Sequence, residues 1–235
     1  MTRADVCAVA CAELFRGAGE ILASPMGLLP TLGARLARCT FEPDLLVSDG
    51  EALLLGVGLS TVEGWLPYRK VFDVVAHGTR HVVMGANQLD RNGNQNISCI
   101  GPHARPDRQL LGFRGAPGNS VNHRTSYWVP RHARRVFVDR VDVVCGVGYD
   151  RPGAGRFHDV YRVVTNLAVL DFATPDRTMR LVSVHPGVTP EEVLTQTGFP
   201  LHIGEITTTR APTPAELRVL AELDPGELRA REVPP

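Results

Sequence analysis

Residues 27–51 read GLLPTLGARLARCTFEPDLLVSDGE, from Gly27 to Glu51, and the order of the two halves decides the fold. Leu28, Leu29, Leu32 and Leu36 recur at helical spacing over residues 27–38, which predicts a helix with one apolar face. Residues 45–47 follow as an apolar run too short for a helix, the mark of a buried strand. Outward from that pair the alternation continues. Over residues 4–16, Val6, Cys7, Ala10, Cys11, Leu14 and Phe15 share one side of a helix that Gly17 and Gly19 end. Short apolar runs recur at 81–84, 97–100, 136–138, 141–144, 163–164, 168–170 and 181–184. Thr189-Pro190-Glu191-Glu192 and Thr213-Pro214-Ala215-Glu216 are N-terminal helix signatures, each with proline at the first helical position. Helices alternating with buried strands predict an α/β fold, an open and mostly parallel sheet with flanking helices. With no repeat and no linker, residues 1–235 are expected to form one domain with a loose tail after about residue 225.

Composition narrows the function. The 235 residues carry 25 basic and 25 acidic side chains, for a formal net charge of zero. Duplex nucleic acid needs clustered, uncompensated Lys and Arg, so no nucleic-acid partner is expected. No run approaches the ~18 apolar residues of a membrane span, and the opening MTRADVCAVACAELF lacks the basic-then-apolar order of a secretion signal. A cytoplasmic protein is expected. Lys70 is the only lysine, so a phosphate-binding GxxxxGK[ST] loop is absent and Schiff-base chemistry would rest on that residue alone.

The five cysteines, Cys7, Cys11, Cys39, Cys99 and Cys145, form no C-x-x-C pair, which argues against a disulfide framework or a zinc site. His77 and His81 stand four apart, but Gly78 lies between them and His81 opens an apolar run, so no metal is expected. There is no GxSxG and no HExxH, and Gly56-Val57-Gly58 and Gly146-Val147-Gly148 lack the third glycine of a dinucleotide loop. Polar chemistry has three places to sit. Ser48-Asp49-Gly50-Glu51 ends a buried strand, where α/β folds place ligands. The loops 85–96 and 112–123 are dense in Gly, Asn and Gln, residues that serve either ligands or turns.

Taken in order, Ser48-Asp49-Gly50, then Met84-Gly85-Ala86-Asn87-Gln88-Leu89-Asp90-Arg91-Asn92-Gly93-Asn94-Gln95-Asn96, then Gly115-Ala116-Pro117-Gly118-Asn119 resemble the β subunit of class I, glutaconate-type CoA-transferases. The similarity runs on through Arg134 to Val138, Val163 to Leu167, His185 to Val193 and Thr197-Gly198-Phe199. It implies the class I CoA-transferase fold for the chain from about Leu45 to Pro225. The departures bear on activity. Those enzymes attack acyl-CoA with a strand-end glutamate; anchored on Gly50, that position here is Ser48. Asp49 and Glu51 are displaced from it, and Pro117 stands where the glycine loop would offer a backbone N–H.

One branch of the family resembles this chain through Asp49-Gly50-Glu51-Ala52, Val62-Glu63-Gly64-Trp65, Gly118-Asn119-Ser120-Val121-Asn122-His123 and Thr125-Ser126-Tyr127-Trp128-Val129. Its members are β subunits of actinobacterial hydrolases of steroid catabolism, which open the last cholesterol ring. The resemblance implies an α subunit as partner, in a heterodimer or α2β2 heterotetramer, with the essential glutamate on that partner. It implies an acyl-CoA substrate, a cyclohexenone carboxyl-CoA, and no cofactor beyond the CoA that the substrate carries. Asn119, Asn122 and His123 are the expected catalytic residues of this chain, Asn119 and Asn122 as amide donors to a developing oxyanion. His123 is either a proton relay or a buried hydrogen-bonded histidine. Ser48, Asp49, Glu51, Gly115, Gly118 and Arg124 are expected to bind substrate, Arg124 through a carboxylate or CoA phosphate. An authentic dicarboxylate CoA-transferase using Asp49 or Glu51, and a non-catalytic scaffold, remain as alternatives.

Overall fold

The computed structural model describes residues 1–50, 52–56, 61–67, 70, 73, 77–151, 157 and 159–233. Thr2 opens the first helix with a full capping box, its hydroxyl accepting from Asp5 N at 3.2 Å and its own N–H donating to Asp5 Oδ2 at 2.6 Å. Helix α1 (Arg3–Ala12) passes into a 3-10 turn at Glu13–Phe15. Every residue from Ala4 to Ala12 is buried, because the helix is small or apolar on all sides and lies in the middle of the core. Helix α2 (Leu28–Thr40) crosses it closely: a Cβ on Gly33 would sit 2.5 Å from Cys11 Cβ. Cys7 and Cys11 are thus small core residues, and burial pushes the Cys7 thiol up to about 12.

The sheet is built from strands β1 (Leu22–Pro25), β2 (Leu46–Ser48), β3 (Leu53–Leu55), β4 (Val62–Trp65), β5 (Arg80–Gly85), β10 (Arg124–Val129), β11 (Asp159–Thr165), β12 (Ala168–Asp171), β13 (Arg180–Val184) and β14 (His202–Thr208). Their order is β14-β13-β12-β11-β10-β5-β1-β2-β3-β4. The central run β2-β1-β5-β10-β11 is parallel, with Leu22 opposite both Leu46 and Arg80, and His81 opposite Arg124. Strands β3, β4, β12 and β13 join antiparallel, and β14 returns parallel to β13. The fold is therefore the open, mostly parallel, helix-flanked α/β sheet expected.

Both faces of the sheet are covered, so its central strands read as unbroken apolar runs rather than alternating ones. Val83, Trp128, Val164, Ala23 and Val47 face α1 and α2, joined by Leu220 of α5 (Pro214–Leu223). Val82, Met84, Tyr127, Val129 and Val163 face the opposite way, against Ala116 of α3 (Ala116–Asn122), Leu89, Phe137 and Phe172. Thr189 and Thr213 cap α4 (Pro190–Thr195) and α5 through Glu192 N and Glu216 N, at 3.2 Å each.

Three expected strands take other forms. Residues 97–100 supply only β8 (Cys99–Ile100), paired with β9 (Arg108–Gln109) in a side ribbon. Residues 136–138 and 141–144 form an irregular segment. Their backbone turns to a second ribbon, β6 (Gln88–Leu89) with β7 (Gln95–Asn96): Leu89 N donates to Val136 O at 2.7 Å and Val138 N to Leu89 O at 2.9 Å. Val136, Phe137 and Val141 are apolar because the segment is packed over a sheet face, not because it joins the sheet.

The tail expected to be loose is packed through Val233. Helix α6 (Arg229–Glu232) brings Arg229 between two buried carboxylates, Asp5 at 2.8 Å and Asp224 at 3.1 Å. Glu232 accepts from Trp128 Nε1 at 2.6 Å and from Leu29 N at 3.2 Å. Two polar residues of this segment, Arg229 and Glu232, are thus internal partners rather than a solvated end.

One turn sets the end of β2. Gly50 has φ +87°, and a Cβ there would lie 2.8 Å from Pro25 O at the end of the neighbouring strand. Gly50→Ala is expected to destabilise by about 2–4 kcal/mol, since it adds a left-handed penalty to a backbone clash. A denaturant midpoint close to that of the unmodified chain would refute this.

Candidate active site

The central parallel strands run β2-β1-β5-β10-β11. The chain moves outward from β1 through β2, β3 and β4 and then returns to β5 on the other side of β1, which puts a topological switch between β1 and β5. In open α/β sheets, ligands bind outside the carboxyl ends of the strands at such a switch. The carboxyl ends here are Ser24-Pro25 of β1, Ser48 of β2 and Met84-Gly85 of β5, with α3 lying over the same face.

Ser48 is buried at this point, its hydroxyl 3.0 Å from Ser24 Oγ and 3.3 Å from Ala23 O. It also accepts from Gly50 N at 3.2 Å, so it holds the turn as well as facing the site. Arg80 leaves the start of β5 on the same face. Its side chain runs along the sheet to give Nε to Ser24 Oγ at 2.7 Å and Nη1 to Asn119 Oδ1 at 3.1 Å. Asn119, on α3, turns its Nδ2 toward Met84 Sδ at 3.5 Å, a weak acceptor that leaves the donor available to a better one. Its carbonyl accepts from His123 N at 3.0 Å and Thr125 Oγ1 at 3.3 Å. His123 is 2% exposed, and its Nε2 is buried with no hydrogen-bond partner among the described residues. Burial, then the nearby Arg80 charge, pushes its pKa down to about 4, so the ring is neutral at physiological pH.

The structure thus brings together Ser48, Asn119 and His123 of the expected site, and adds two residues the sequence did not single out, Ser24 and Arg80. Gly115 borders this group, since a Cβ on it would lie 3.4 Å from Asn119 Nδ2; Asp49, Asn122 and Arg124 have other partners. Asp49 Oδ1 accepts from Ala52 N at 2.9 Å and Leu53 N at 3.1 Å, closing the turn between β2 and β3. Asn122 is exposed and donates to Gly118 O at 2.8 Å within its own helix. Arg124 pairs with Asp159 at 2.7 Å and covers the Tyr161 ring, so its charge is already matched. Gly115 starts α3, and a Cβ on Gly118 would meet nothing within 4 Å; the chain's own packing does not require glycine there. Pro117 falls in the first turn of α3, where a backbone N–H has no helical partner to lose. Glu51 lies outside the described residues.

The amide-rich loop after β5 is turned inward. Asp90 accepts from Asn92 N and Asn94 N, at 3.0 Å each, and Asn96 Nδ2 donates to Gln88 Oε1 at 2.7 Å. Asn94 Oδ1 accepts from Gly148 N at 2.8 Å, while Gln88 exchanges bonds with Asp142 Nand Oδ2 at 3.0 Å each. These side chains stitch the β6–β7 ribbon to the irregular segment, which is the turn-forming role rather than the ligand role.

His81, His132 and His185 are likewise structural. His81 meets Ser126 Oγ at 2.9 Å, His132 lies between Thr165 and Thr197, and His185 lies between Thr209 and Thr165 O. Burial pushes His81 and His132 down to about 3 and His185 down to about 4. Unfolded histidine titrates near 6.5, so the unfolded chain takes up protons that these folded sites refuse. Their contribution is intact above pH ~6.5 and is lost as pH falls toward the folded values, at about 1.4 kcal/mol per histidine per pH unit. The urea midpoint is expected to drop steadily between pH 6.5 and 5, and His132→Gln is expected to flatten that drop. A midpoint independent of pH in this range would contradict the assignment.

Comparison with known proteins agrees with this geometry. The coenzyme A transferase family profile matches residues 70–196. The chain is 58% identical to the cholesterol ring-cleaving hydrolase IpdB subunit of Rhodococcus jostii (strain RHA1), over 99% of this chain and 96% of that one. It is 56% identical to the IpdB subunit of Mycobacterium tuberculosis, over 99% and 98%. The fold superposes on the crystal structure of Rhodococcus jostii RHA1 IpdAB with a TM-score of 0.95, at 56% identity, covering 100% of this chain and 99% of that one. Glutaconate coenzyme A-transferase from Acidaminococcus fermentans shares the fold, with a TM-score of 0.84 at 24% identity over 97% and 96%. A profile that spans β5 and α3, joined to more than half identity along nearly the whole sequence, leads to one conclusion: the chain belongs to the coenzyme A transferase family.

Proposed function

We propose that this chain is the β subunit of a heteromeric hydrolase that opens the last steroid-derived ring of a cyclic β-keto acyl-CoA. Its likeness to IpdB subunits over nearly their full length supports the substrate class and the need for an α partner. The observation that carries the chemistry is at the end of β2. Where the family's transferases are expected to hold a glutamate, Ser48 is hydrogen-bonded to Ser24, and among the described residues no carboxylate pairs with the adjoining Arg80. Among the described residues, the chain therefore offers donors at the site and no carboxylate turned into it from the strand end.

The reaction follows from that division. Water adds to the ring ketone, a partner carboxylate taking its proton. The bond between the former carbonyl carbon and the carbon α to the thioester then breaks, its electron pair passing into the thioester enolate. Reprotonation of that carbon gives a ring-opened carboxylic acid still carrying CoA. Asn119 Nδ2, with Arg80 behind it, is placed to hold an oxygen that becomes negative only during reaction. His123, neutral and buried, would donate or relay a proton, a reading its unpartnered Nε2 supports. No cofactor enters this scheme, CoA arriving with the substrate, and the setting is the cytoplasm, where CoA thioesters are made; no described helix is long and apolar enough to cross a membrane.

Trapping separates this reading from a transferase. In the two-chain enzyme turning over its acyl-CoA, hydroxylamine or borohydride is expected to leave every carboxylate of this chain unmodified. A hydroxamate or a reduced alcohol at Asp49 or Glu51 would establish a transferase instead. Expressed alone, the chain is expected to show no hydrolysis, which returns on co-expression with the α subunit.

A further inference from the structure

Arg80 stands apart in how its charge is matched. Arg16, Arg38, Arg124, Arg180 and Arg229 each reach a carboxylate within 3.1 Å. Arg80 is only 7% exposed, and its described partners are a hydroxyl and an amide oxygen, both neutral. Burying a guanidinium without a counter-charge costs several kcal/mol, and folds ordinarily avoid it. Beside it, His123 is also buried, with Nε2 left without a partner. A buried guanidinium with no described counter-charge, next to an unpartnered ring nitrogen, describes half of an interaction. The missing half is acidic, since a guanidinium only donates and carries a charge that its neutral partners do not match. It is singly charged and planar: one cation with neutral donors around it matches a carboxylate, whose two oxygens fit the fork of a guanidinium, better than a dianionic phosphate.

We infer that Arg80 is the carboxylate-recognition residue of this site, its guanidinium receiving a free carboxylate borne by the acyl substrate, beside the oxygen that Asn119 Nδ2 holds. The inference rests on the proposed function only for the identity of that substrate. It also relocates a role: the surface Arg124 is paired with Asp159, and the arginine with charge to spare is Arg80.

The test uses the co-expressed two-chain enzyme with propanoate as probe and propanamide as its neutral isostere. Propanoate is expected to raise the thermal midpoint of the assembly and the apparent KM for the acyl-CoA, leaving kcat unchanged, whereas propanamide does neither. Arg80→Met is expected to abolish both responses and raise KM by about 10- to 100-fold, the worth of a charge-assisted hydrogen bond. Arg80→Lys, which keeps the charge but not the fork, is expected to fall between. Because Arg80→Met removes an uncompensated buried charge, its own midpoint is expected not to drop. Equal responses to propanoate and propanamide, or a propanoate response that survives Arg80→Met, would overturn the inference. So would weaker subunit association in Arg80→Met without a propanoate response in the unmodified enzyme, which would assign the site to a carboxylate of the partner. The thermal arm needs no turnover, so an enzyme that binds propanoate through Arg80 yet hydrolyses nothing would sink the proposed reaction and leave this inference standing.

Discussion

Asn119→Ala in the two-chain enzyme is expected to lower kcat by about 10²–10³-fold with little change in KM, the loss seen when one oxyanion donor is removed. The expectation comes from how Asn119 is held. Its Oδ1 is fixed by Arg80 at 3.1 Å and its backbone carbonyl by His123 N and Thr125 Oγ1, so the amide plane is set. Only Nδ2 is left to a poor acceptor, Met84 Sδ. A donor aimed by its neighbours and weakly engaged before reaction interacts more strongly with a transition-state oxyanion than with a ground-state carbonyl. Asn122→Ala is the comparison: its side chain is exposed and bonded to its own helix, and kcat is expected to stay within about twofold, as for most exposed substitutions. Single-turnover rates on both variants would decide; equal rates would return α3 to a purely structural role.

The largest loss of stability is expected from Arg229→Met. Arg229, Asp5 and Asp224 are all buried, and the arginine bridges the two acids. Burial alone raises the pKa of both carboxyls, and hydrogen bonds from Arg229 and from backbone N–H groups more than reverse it, so both end below the usual range. Removing the cation leaves two buried negative charges, a cost of about 3–5 kcal/mol. Thr2 N, Leu228 N and the backbone N–H of residue 229 still solvate them, which favours the lower end. Thermal unfolding is expected to fall by roughly 6–15 °C at 2–4 °C per kcal/mol for a chain this size. The acids also contribute an acid-labile term. It is present above their unfolded pKa and lost as pH falls through the lower folded values, and Arg229→Met is expected to remove it. A variant that melts within about 2 °C of the parent, below the smallest shift this reasoning allows, would mean that the triad adds nothing.

Much of this was legible in the residues, and the exceptions share a cause. Helices announced themselves through spacing and caps, because those signals are local: Thr2 with Asp5, and Thr213 with Glu216, meet within one turn. Strand β5 was legible because both its faces are buried and its run HVVM is unbroken. Strand β10 was not, since Thr125 and Ser126 look like loop residues until their partners appear, Asn119 O and His81. The apolar runs around Val136 and Val141 mislead for the opposite reason: burial does not imply a place in the sheet. Ser48, Asn119 and His123 were singled out through family resemblance, and the fold gathers them around Ser24 and Arg80. Ser24 and Arg80 were invisible because nothing local marks them; Arg80 matters through contacts 39 and 56 residues away in sequence, and in a chain rich in arginine its type carries no signal.

Asp5 and Arg229 are 224 residues apart in sequence. At 5–20 residues per second, roughly 10–45 s separate their synthesis. During that interval the first helix is already outside the ribosome with an acid that has no counter-charge, and Leu29 N and Trp128 Nε1 still await Glu232. Residues made late are therefore the ones that close the face formed first. A nascent chain stalled or cut after Leu228 lacks both closures, and quality-control proteases would meet it with α1 unsecured. A tag that interrupts the chain between Asp224 and Val233 would break that closure, whereas one set off from it by a flexible spacer would leave it undisturbed.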